Sequence, residues 1–197
     1  MALLHWAVLS PFLFAIVIPF LYKYFRKIHT GWFVFILPVI LFLYFAQSFI
    51  GHVHNEGVYK TAEWIPSLGI DFTVYLDGLS LLFALLITGI GSLVVLYSID
   101  YLSKEKEQLH VFYIYLLMFM GAMLGVVLSD NAIVFYIFWE LTSFSSFLLI
   151  GYWHHRERSR YGAQKSMLIT VFGGLSMLGG FILLYLITDT FSIPEWI

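Results

Sequence analysis

The chain has 197 residues, of which 61% are hydrophobic and 11% are charged. Because soluble domains carry about 25% charged residues, this composition predicts an integral membrane protein. The net charge of −2 at pH 7 excludes the electrostatic attraction on which nucleic-acid binding depends, and the lack of cysteine excludes disulfides, thiol chemistry and Cys-ligated metal sites.

Six apolar runs follow one another along the chain, each close to the about 20 residues that a helix needs to cross the hydrocarbon core of a bilayer. We therefore predict an all-α membrane protein with six transmembrane helices. The first run has no basic leading segment and no small-residue cleavage site, and Pro11 and Pro19 interrupt it, so it is predicted to be a helix of the mature protein rather than a signal peptide. The six runs are 2–22, 31–51, 77–99, 111–128, 131–152 and 166–187.

Two of the connections between these runs have predicted structures of their own. In the segment 51–76, Gly69 and the alternating apolar residues that follow it predict a short strand or hairpin, after which Asp77 is a candidate N-cap of the third helix. The polar turn Ser129-Asp130-Asn131 is so short that it forces the fourth and fifth helices into an antiparallel pair.

The basic residues divide unequally between the two sides of the predicted bundle. Only Lys60 falls on the side of the 51–76 segment. The positive-inside rule therefore places both chain termini outside and the three basic connections in the cytoplasm. These connections hold Lys23, Arg26, Lys27, Lys104, Lys106, Arg156, Arg158, Arg160 and Lys165.

Glu140 is the residue that most strongly indicates a function. It lies about nine residues from one end of the fifth run and about twelve from the other, so its carboxyl group is predicted near the bilayer midplane. A charge there costs about 2.5 kcal/mol or more, and such residues usually face a bundle interior and belong to an ion or proton pathway. A structural carboxylate that is hydrogen-bonded inside the bundle is the alternative.

Small and polar residues predict a seam between the fifth and sixth helices. Tyr136, Glu140 and Ser143 share one face of the fifth helix, with Ser146 further along it. The sixth run carries a stripe of small or polar residues of the kind that allows close helix packing. This stripe comprises Ser166, Thr170, Gly173, Gly174, Ser176, Gly179 and Gly180.

Four segments resemble the antiporter-like subunits that respiratory complex I and the Mrp-type Na⁺/H⁺ antiporters share. They are Asp77-Gly78-Leu79-Ser80, Ser129-Asp130-Asn131, Phe138-Trp139-Glu140-Leu141-Thr142-Ser143 and Ser159-Arg160-Tyr161-Gly162-Ala163-Gln164-Lys165-Ser166. Within that family, residues 64–98 and 112–190 are most similar to the MrpA-type subunits of Gram-positive bacteria.

The resemblance implies a larger helix bundle in a multi-pass protein of the bacterial cell membrane. Glu140 matches a fifth-helix glutamate that, in the family, pairs with a lysine on a seventh helix and gates protons. The 197 residues would then supply three lead helices and the start of a five-helix repeat. The remainder of the MrpA-type subunit, in the same or a separate chain, and further membrane subunits are the implied partners, with Na⁺ and H⁺ as the transported ions.

Two other functions remain open at this stage. One is that of a proton-pumping membrane subunit in a complex I-type NADH/quinone oxidoreductase, and the other is that of a scaffold that conducts no ions. In either transport function the chain is a subunit without its own enzymatic signature, and neither a cofactor nor a metal site is predicted.

The histidines divide into an inner and an outer group. His154 and His155 follow the fifth span on the cytoplasmic side, where they are predicted either to admit protons or to be interfacial neighbours of the arginines. His5, His52 and His54 are predicted to be surface residues on the outer side, with no repeated ligand spacing that indicates a metal.

The predicted orientation can be tested with single cysteines, because the chain contains none of its own. We expect a Lys60→Cys variant to react with an impermeant maleimide in intact cells, and an Arg158→Cys variant to react only after the membrane is permeabilised. Labelling of both variants from outside would contradict the six-span topology.

Overall fold

The computed structural model describes residues 3–25, 28–52, 57–65, 69–102 and 108–196. The predicted basic residues Arg26, Lys27, Lys104 and Lys106 lie outside these ranges, as does His54. Six α-helices and one two-stranded sheet make up the described fold. In chain order they are α1 (Leu3–Tyr24), α2 (Thr30–His52), β1 (Val58–Ile65), β2 (Ile70–Leu76), α3 (Gly78–Tyr101), α4 (Leu109–Leu128), α5 (Ala132–Ile150) and α6 (Glu157–Thr188), and a 3₁₀ turn follows at Ile193–Trp196.

All six helices are long and apolar enough to cross a membrane, which confirms the six predicted spans. The bounds of the first five agree with the predicted runs to within two residues at either end. The sixth helix begins at Glu157, whereas the apolar run begins at 166. Its 32 residues extend about 48 Å, so the charged first turns project beyond a hydrocarbon core of about 30 Å.

Helix α4 lies at the centre of the bundle. It packs against α1 and α5 and, less extensively, against α3, while α2 packs against α3 on the far side. Helix α6 is at the edge: its main partner is α5, and within α6 only Ala163 and Gly174 are buried. Most of the surface of α6 is therefore apolar and faces away from the other described helices.

The predicted hairpin is present and leads directly into α3. Strands β1 and β2 pair antiparallel, and Gly69, which precedes β2, adopts a positive φ of 64° that favours glycine. Asp77 is the N-cap of α3, as predicted: its carboxylate accepts a hydrogen bond from the Ser80 amide at 2.7 Å, and the Ser80 hydroxyl accepts one from the Asp77 amide at 2.8 Å. The hairpin marks one end of the bundle, called here the hairpin end; the opposite end is the basic end.

The turn between α4 and α5 ties the hairpin end together. The Asn131 side chain accepts hydrogen bonds from the first amides of α5 and donates one to the Gly69 carbonyl at 3.3 Å. The Asp130 amide donates to the Thr73 carbonyl of β2 at 3.1 Å. Segments that are distant in sequence therefore meet at this turn.

The residues after α6 return to the same turn. The Ala132 amide donates to the Phe191 carbonyl at 2.9 Å, and the Ile193 amide donates to the Asp130 carbonyl at 3.1 Å. Because these bonds join the end of α6 to the start of α5, they fix the two helices to each other at the hairpin end.

The prediction that His5 is a surface residue is wrong. Its side chain is 1% exposed, and its Nε2 atom lies 2.9 Å from the carbonyl oxygen of Phe72, whose ring it also contacts edge-on. Strand β2 lies over the first turn of α1 and covers the imidazole. His5 therefore joins α1 to the hairpin, a long-range contact that hydropathy does not report.

Asp130 gives the hairpin end a dependence on pH. Burial raises the pKa of its carboxyl from 3.8 to about 6. The folded state thus binds a proton more tightly than the unfolded state, so the stabilisation that this proton provides is complete below pH 4 and is lost as the pH rises through 6. Asparagine has nearly the same shape and stays neutral.

We therefore expect Asp130→Asn to raise the unfolding temperature of the purified protein at pH 8 and to leave it unchanged at pH 4. Thermal unfolding in detergent from pH 4 to pH 8 measures this difference. Glu195→Gln, which removes an exposed carboxylate at the same end, is the matched control. An Asp130→Asn variant that is less stable than the wild type at pH 8 would contradict the argument.

Candidate functional site

Glu140 lies on the face of α5 that packs against α6. It is the ninth residue of α5, about 12 Å along the helix from its start, and its side chain is partly buried. Its Oε1 atom is buried without a hydrogen-bond partner among the described residues. A carboxylate oxygen in this position has lost its hydration and gained no donor in return, which is costly unless a proton or a cation neutralises it.

Gly174 of α6 makes room for this carboxyl group. A Cβ atom built on Gly174 would collide with Glu140 Oε1 and would lie 3.2 Å from the carboxyl carbon. Glycine therefore allows α6 to approach α5 closely at the level of the carboxylate. The backbone of α6 forms one wall of the Glu140 site.

The other side of the carboxyl group faces a cleft of about 360 Å³ between α5 and α6. This Glu140 cleft is almost entirely apolar, and the Tyr136 hydroxyl is the second polar group on it, close enough to interact electrostatically with the carboxylate. The cleft is lined by Tyr136, Ile137, Glu140, Leu141, Phe144, Met167 and Val171. A proton or small cation that reaches Glu140 through this cleft would meet one carboxylate in an apolar environment.

The predicted polar seam is brought together only in part. Tyr136 and Glu140 share the Glu140 cleft, but the Ser143 hydroxyl bonds back to the Trp139 carbonyl at 3.3 Å. On α6, Ser166 is partly buried, whereas Thr170 is exposed and bonds to the Ser166 carbonyl at 3.0 Å. These hydroxyl groups therefore serve their own helices rather than the carboxylate.

Most of the small-residue stripe on α6 faces away from α5. Nothing in the described structure lies within 4 Å of a Cβ built on Gly173, Gly179 or Gly180, whereas the neighbouring Gly174 meets the carboxylate. Sequence reasoning also missed Ser145, which is fully buried and bonds to the Leu141 carbonyl at 2.7 Å. Its position one residue before Ser146 gave no signal that it points inward.

His154 and His155 lie on the exposed rim of a second cleft, at the basic end between α4 and α5. The volume of this basic-end cleft is about 570 Å³. Ten residues of α5, about 15 Å, separate Glu140 from the end of the helix, so neither imidazole touches the carboxylate. Within the described residues no group of three His, Asp or Glu side chains is arranged as a metal site.

Comparison with known families matches most of the second half of the chain and part of the first. A family described as "NADH-Ubiquinone oxidoreductase (complex I), chain 5 N-terminus" matches residues 64–113. A second, described as "NADH:quinone oxidoreductase/Mrp antiporter, TM", matches residues 129–197, which include Glu140 and Gly174.

Individual relatives are similar over the whole chain. The MrpA-type Na⁺/H⁺ antiporter protein of Bacillus subtilis is 73% identical over all 197 residues, and that of Alkalihalophilus pseudofirmus is 71% identical over 98% of the chain. The chain spans about a quarter of the length of these proteins, 25% and 24% respectively. A chain in the structure of the Mrp complex from Dietzia sp. superposes with a TM-score of 0.86 at 29% identity, covering 99% of this chain and 21% of the other.

The contact between Gly174 and Glu140 can be tested chemically. A Gly174→Ala variant should push the carboxyl group into the open Glu140 cleft, because the added methyl group takes the place of Oε1. We expect Glu140 to react severalfold faster with a water-soluble carbodiimide, measured by peptide mass spectrometry.

Gly162→Ala is the matched control. It adds the same methyl group to the same helix and meets only Ile150, at 3.9 Å. Equal labelling of Glu140 in the wild type and both variants would show that Gly174 does not position the carboxyl group.

Proposed function

Because the chain belongs to the family of antiporter-like membrane subunits that Mrp antiporters and NADH:quinone oxidoreductases share, we propose that it forms part of a multisubunit Na⁺/H⁺ antiporter. In this proposal Glu140 binds and releases the protons whose inward movement drives sodium outward. The proposal concerns the whole complex, of whose MrpA-type subunit this chain matches about a quarter of the length.

The Glu140 carboxylate carries the proposal. One of its oxygens is buried against Gly174 without a donor among the described residues, and the rest of the group faces an apolar cleft. Such a group gains a proton or pairs with a cation, and each event changes the tendency for the other to occur. A carboxylate in the middle of a span that responds to a nearby positive charge is therefore suited to gate proton movement.

Sodium as the second ion comes from the relatives. The Bacillus subtilis and Alkalihalophilus pseudofirmus proteins are both named as Na⁺/H⁺ antiporter subunits, and their identity to this chain includes the segment that forms the Glu140 cleft. The family resemblance adds a lysine on a further helix as the cation that pairs with Glu140. That helix would lie on the continuation of the same subunit or on a separate chain.

The proposed orientation puts the hairpin end outside a bacterial cell and the basic end in the cytoplasm. Lys23, Arg156, Arg158, Arg160 and Lys165 are the described basic residues of the basic end, while Lys60 lies on β1. In this orientation His154 and His155 face the cytoplasm, and their exposure on the rim of the basic-end cleft supports a role in admitting protons.

A proton-pumping subunit of the complex I type is the second candidate. It is favoured by the family that matches residues 64–113, whose description names complex I. Copurification separates the two functions, since a pump brings hydrophilic redox subunits with it and an antiporter brings small membrane subunits without redox cofactors. A non-conducting scaffold is the third candidate, and it requires Glu140 to be dispensable.

We expect Glu140→Gln, carried by the full-length protein in its assembled complex, to reduce Na⁺-dependent proton movement to that of vesicles without the complex. Glutamine keeps the shape of the side chain but cannot exchange a proton. Everted membrane vesicles with a pH-sensitive dye measure the movement, and copurification of the partner subunits verifies assembly.

Glu157→Gln makes the same chemical change at an exposed site on the first turn of α6, and should retain exchange. Exchange by the Glu140→Gln complex at the rate of this control would refute the gating role and favour the scaffold.

A further inference from the structure

The basic-end cleft has the two-part chemistry of a phospholipid. Its floor is formed by apolar and aromatic side chains of α4 and α5, including Val111, Phe147 and Leu148. Its rim is polar and holds Gln108 and the exposed imidazoles of His154 and His155. The floor therefore lies within the hydrocarbon-spanning helices, and the rim lies at the level where lipid headgroups begin.

Positive charge is concentrated beside this rim. Arg156 is exposed, and its guanidinium carbon lies 5.0 Å from the centre of the Trp153 ring, which also lines the cleft. Arg158 and Arg160 follow within the first turns of α6 and are exposed as well, whereas Glu157 is the one acidic residue among them. The segment 153–160 thus combines an interfacial tryptophan with three arginines and two histidines at one depth.

We propose that the basic-end cleft binds an anionic phospholipid, with its phosphate against Arg156, His154 and His155 and one acyl chain along Val111, Phe147 and Leu148. Guanidinium and imidazole groups donate hydrogen bonds to phosphate oxygens, and each basic residue near an anionic lipid surface contributes about 1 kcal/mol. A volume of about 570 Å³ holds a headgroup and the start of an acyl chain but not a folded protein segment.

The bound lipid has a structural consequence for the helices. Its acyl chain would fill the space between the ends of α4 and α5, and its headgroup would link this space to the first turn of α6. The lipid would therefore fix the basic end of α5 and α6, where the described chain has no counterpart to the hydrogen bonds of the hairpin end. This inference does not depend on the proposed transport function.

Two variants remove different halves of the site. Arg156→Gln takes away the cation at the rim, and Val111→Trp fills the floor while leaving every charge in place. The probe is phosphatidylglycerol added to the delipidated complex in detergent, with phosphatidylcholine for comparison, and binding is measured by native mass spectrometry. We expect Arg156→Gln to weaken phosphatidylglycerol binding about fivefold, the factor that corresponds to about 1 kcal/mol.

We expect Val111→Trp to weaken binding of phosphatidylglycerol as well, although it changes no charge. Lys165→Gln is the control, since it removes a cation from the same end about 13 Å along α6 from Arg156 and should leave binding unchanged. Size-exclusion profiles of all variants verify that the complex is intact.

The other outcomes would overturn the site. If Lys165→Gln and Arg156→Gln weaken binding equally and Val111→Trp has no effect, the arginines attract lipid only as a charged surface. If phosphatidylcholine binds as tightly as phosphatidylglycerol, or inorganic phosphate displaces the lipid completely, the cleft does not recognise an anionic phospholipid.

Discussion

The structure depends on the absence of water from the hydrocarbon core, which obliges every polar group in the spans to find a partner within the protein. The hydroxyl groups of α3 satisfy this requirement locally: Thr88 and Ser92 bond to carbonyls one turn earlier, and Ser98 bonds both to Val95 and to Tyr113 of α4. Glu140 departs from this pattern in the middle of a span, because its Oε1 atom is buried without a donor among the described residues. The departure occurs where the chain belongs to a family of antiporter-like subunits.

The two ends of the bundle are held by different means. At the hairpin end, backbone hydrogen bonds join β2, the α4–α5 turn and the residues after α6. At the basic end, aromatic packing and a cleft take their place, with Tyr152 packed between Phe112 and Trp153. Helix α6 is consequently fixed near Asp130 and held less tightly near Arg156. Any relative movement of α5 and α6 around Glu140 would therefore be larger toward the basic end.

The sequence was sufficient where one residue or one run determines the outcome. Hydropathy and length located the six spans, and Asp77 followed by Ser80 is a capping box that needs no tertiary contact. The start of α6 was missed because Arg158, Arg160 and Lys165 interrupt the apolar run without interrupting the helix. Hydropathy reports where a helix meets lipid and not where it begins.

Contacts between distant segments were beyond this reasoning. His5 is buried because β2 lies over α1, and Phe191 meets Ala132 although the whole of α5 and α6 lies between them along the chain. A helix that is apolar on all sides carries no sign of which face meets its neighbour, so Gly174 could not be distinguished from Gly173. The identity of the functional carboxylate was readable from its cost in a bilayer, but the wall against which it packs was not.

The central claim is that the Glu140 carboxyl group exchanges a proton within the membrane. Infrared difference spectroscopy of the assembled complex in lipid, recorded during a change of pH and of sodium concentration, observes that group directly, and Glu140→Gln assigns its band. The account predicts a band of a protonated carboxylic acid that is absent from the variant and loses intensity when the pH or the sodium concentration is raised. Identical difference spectra for wild type and variant would contradict it.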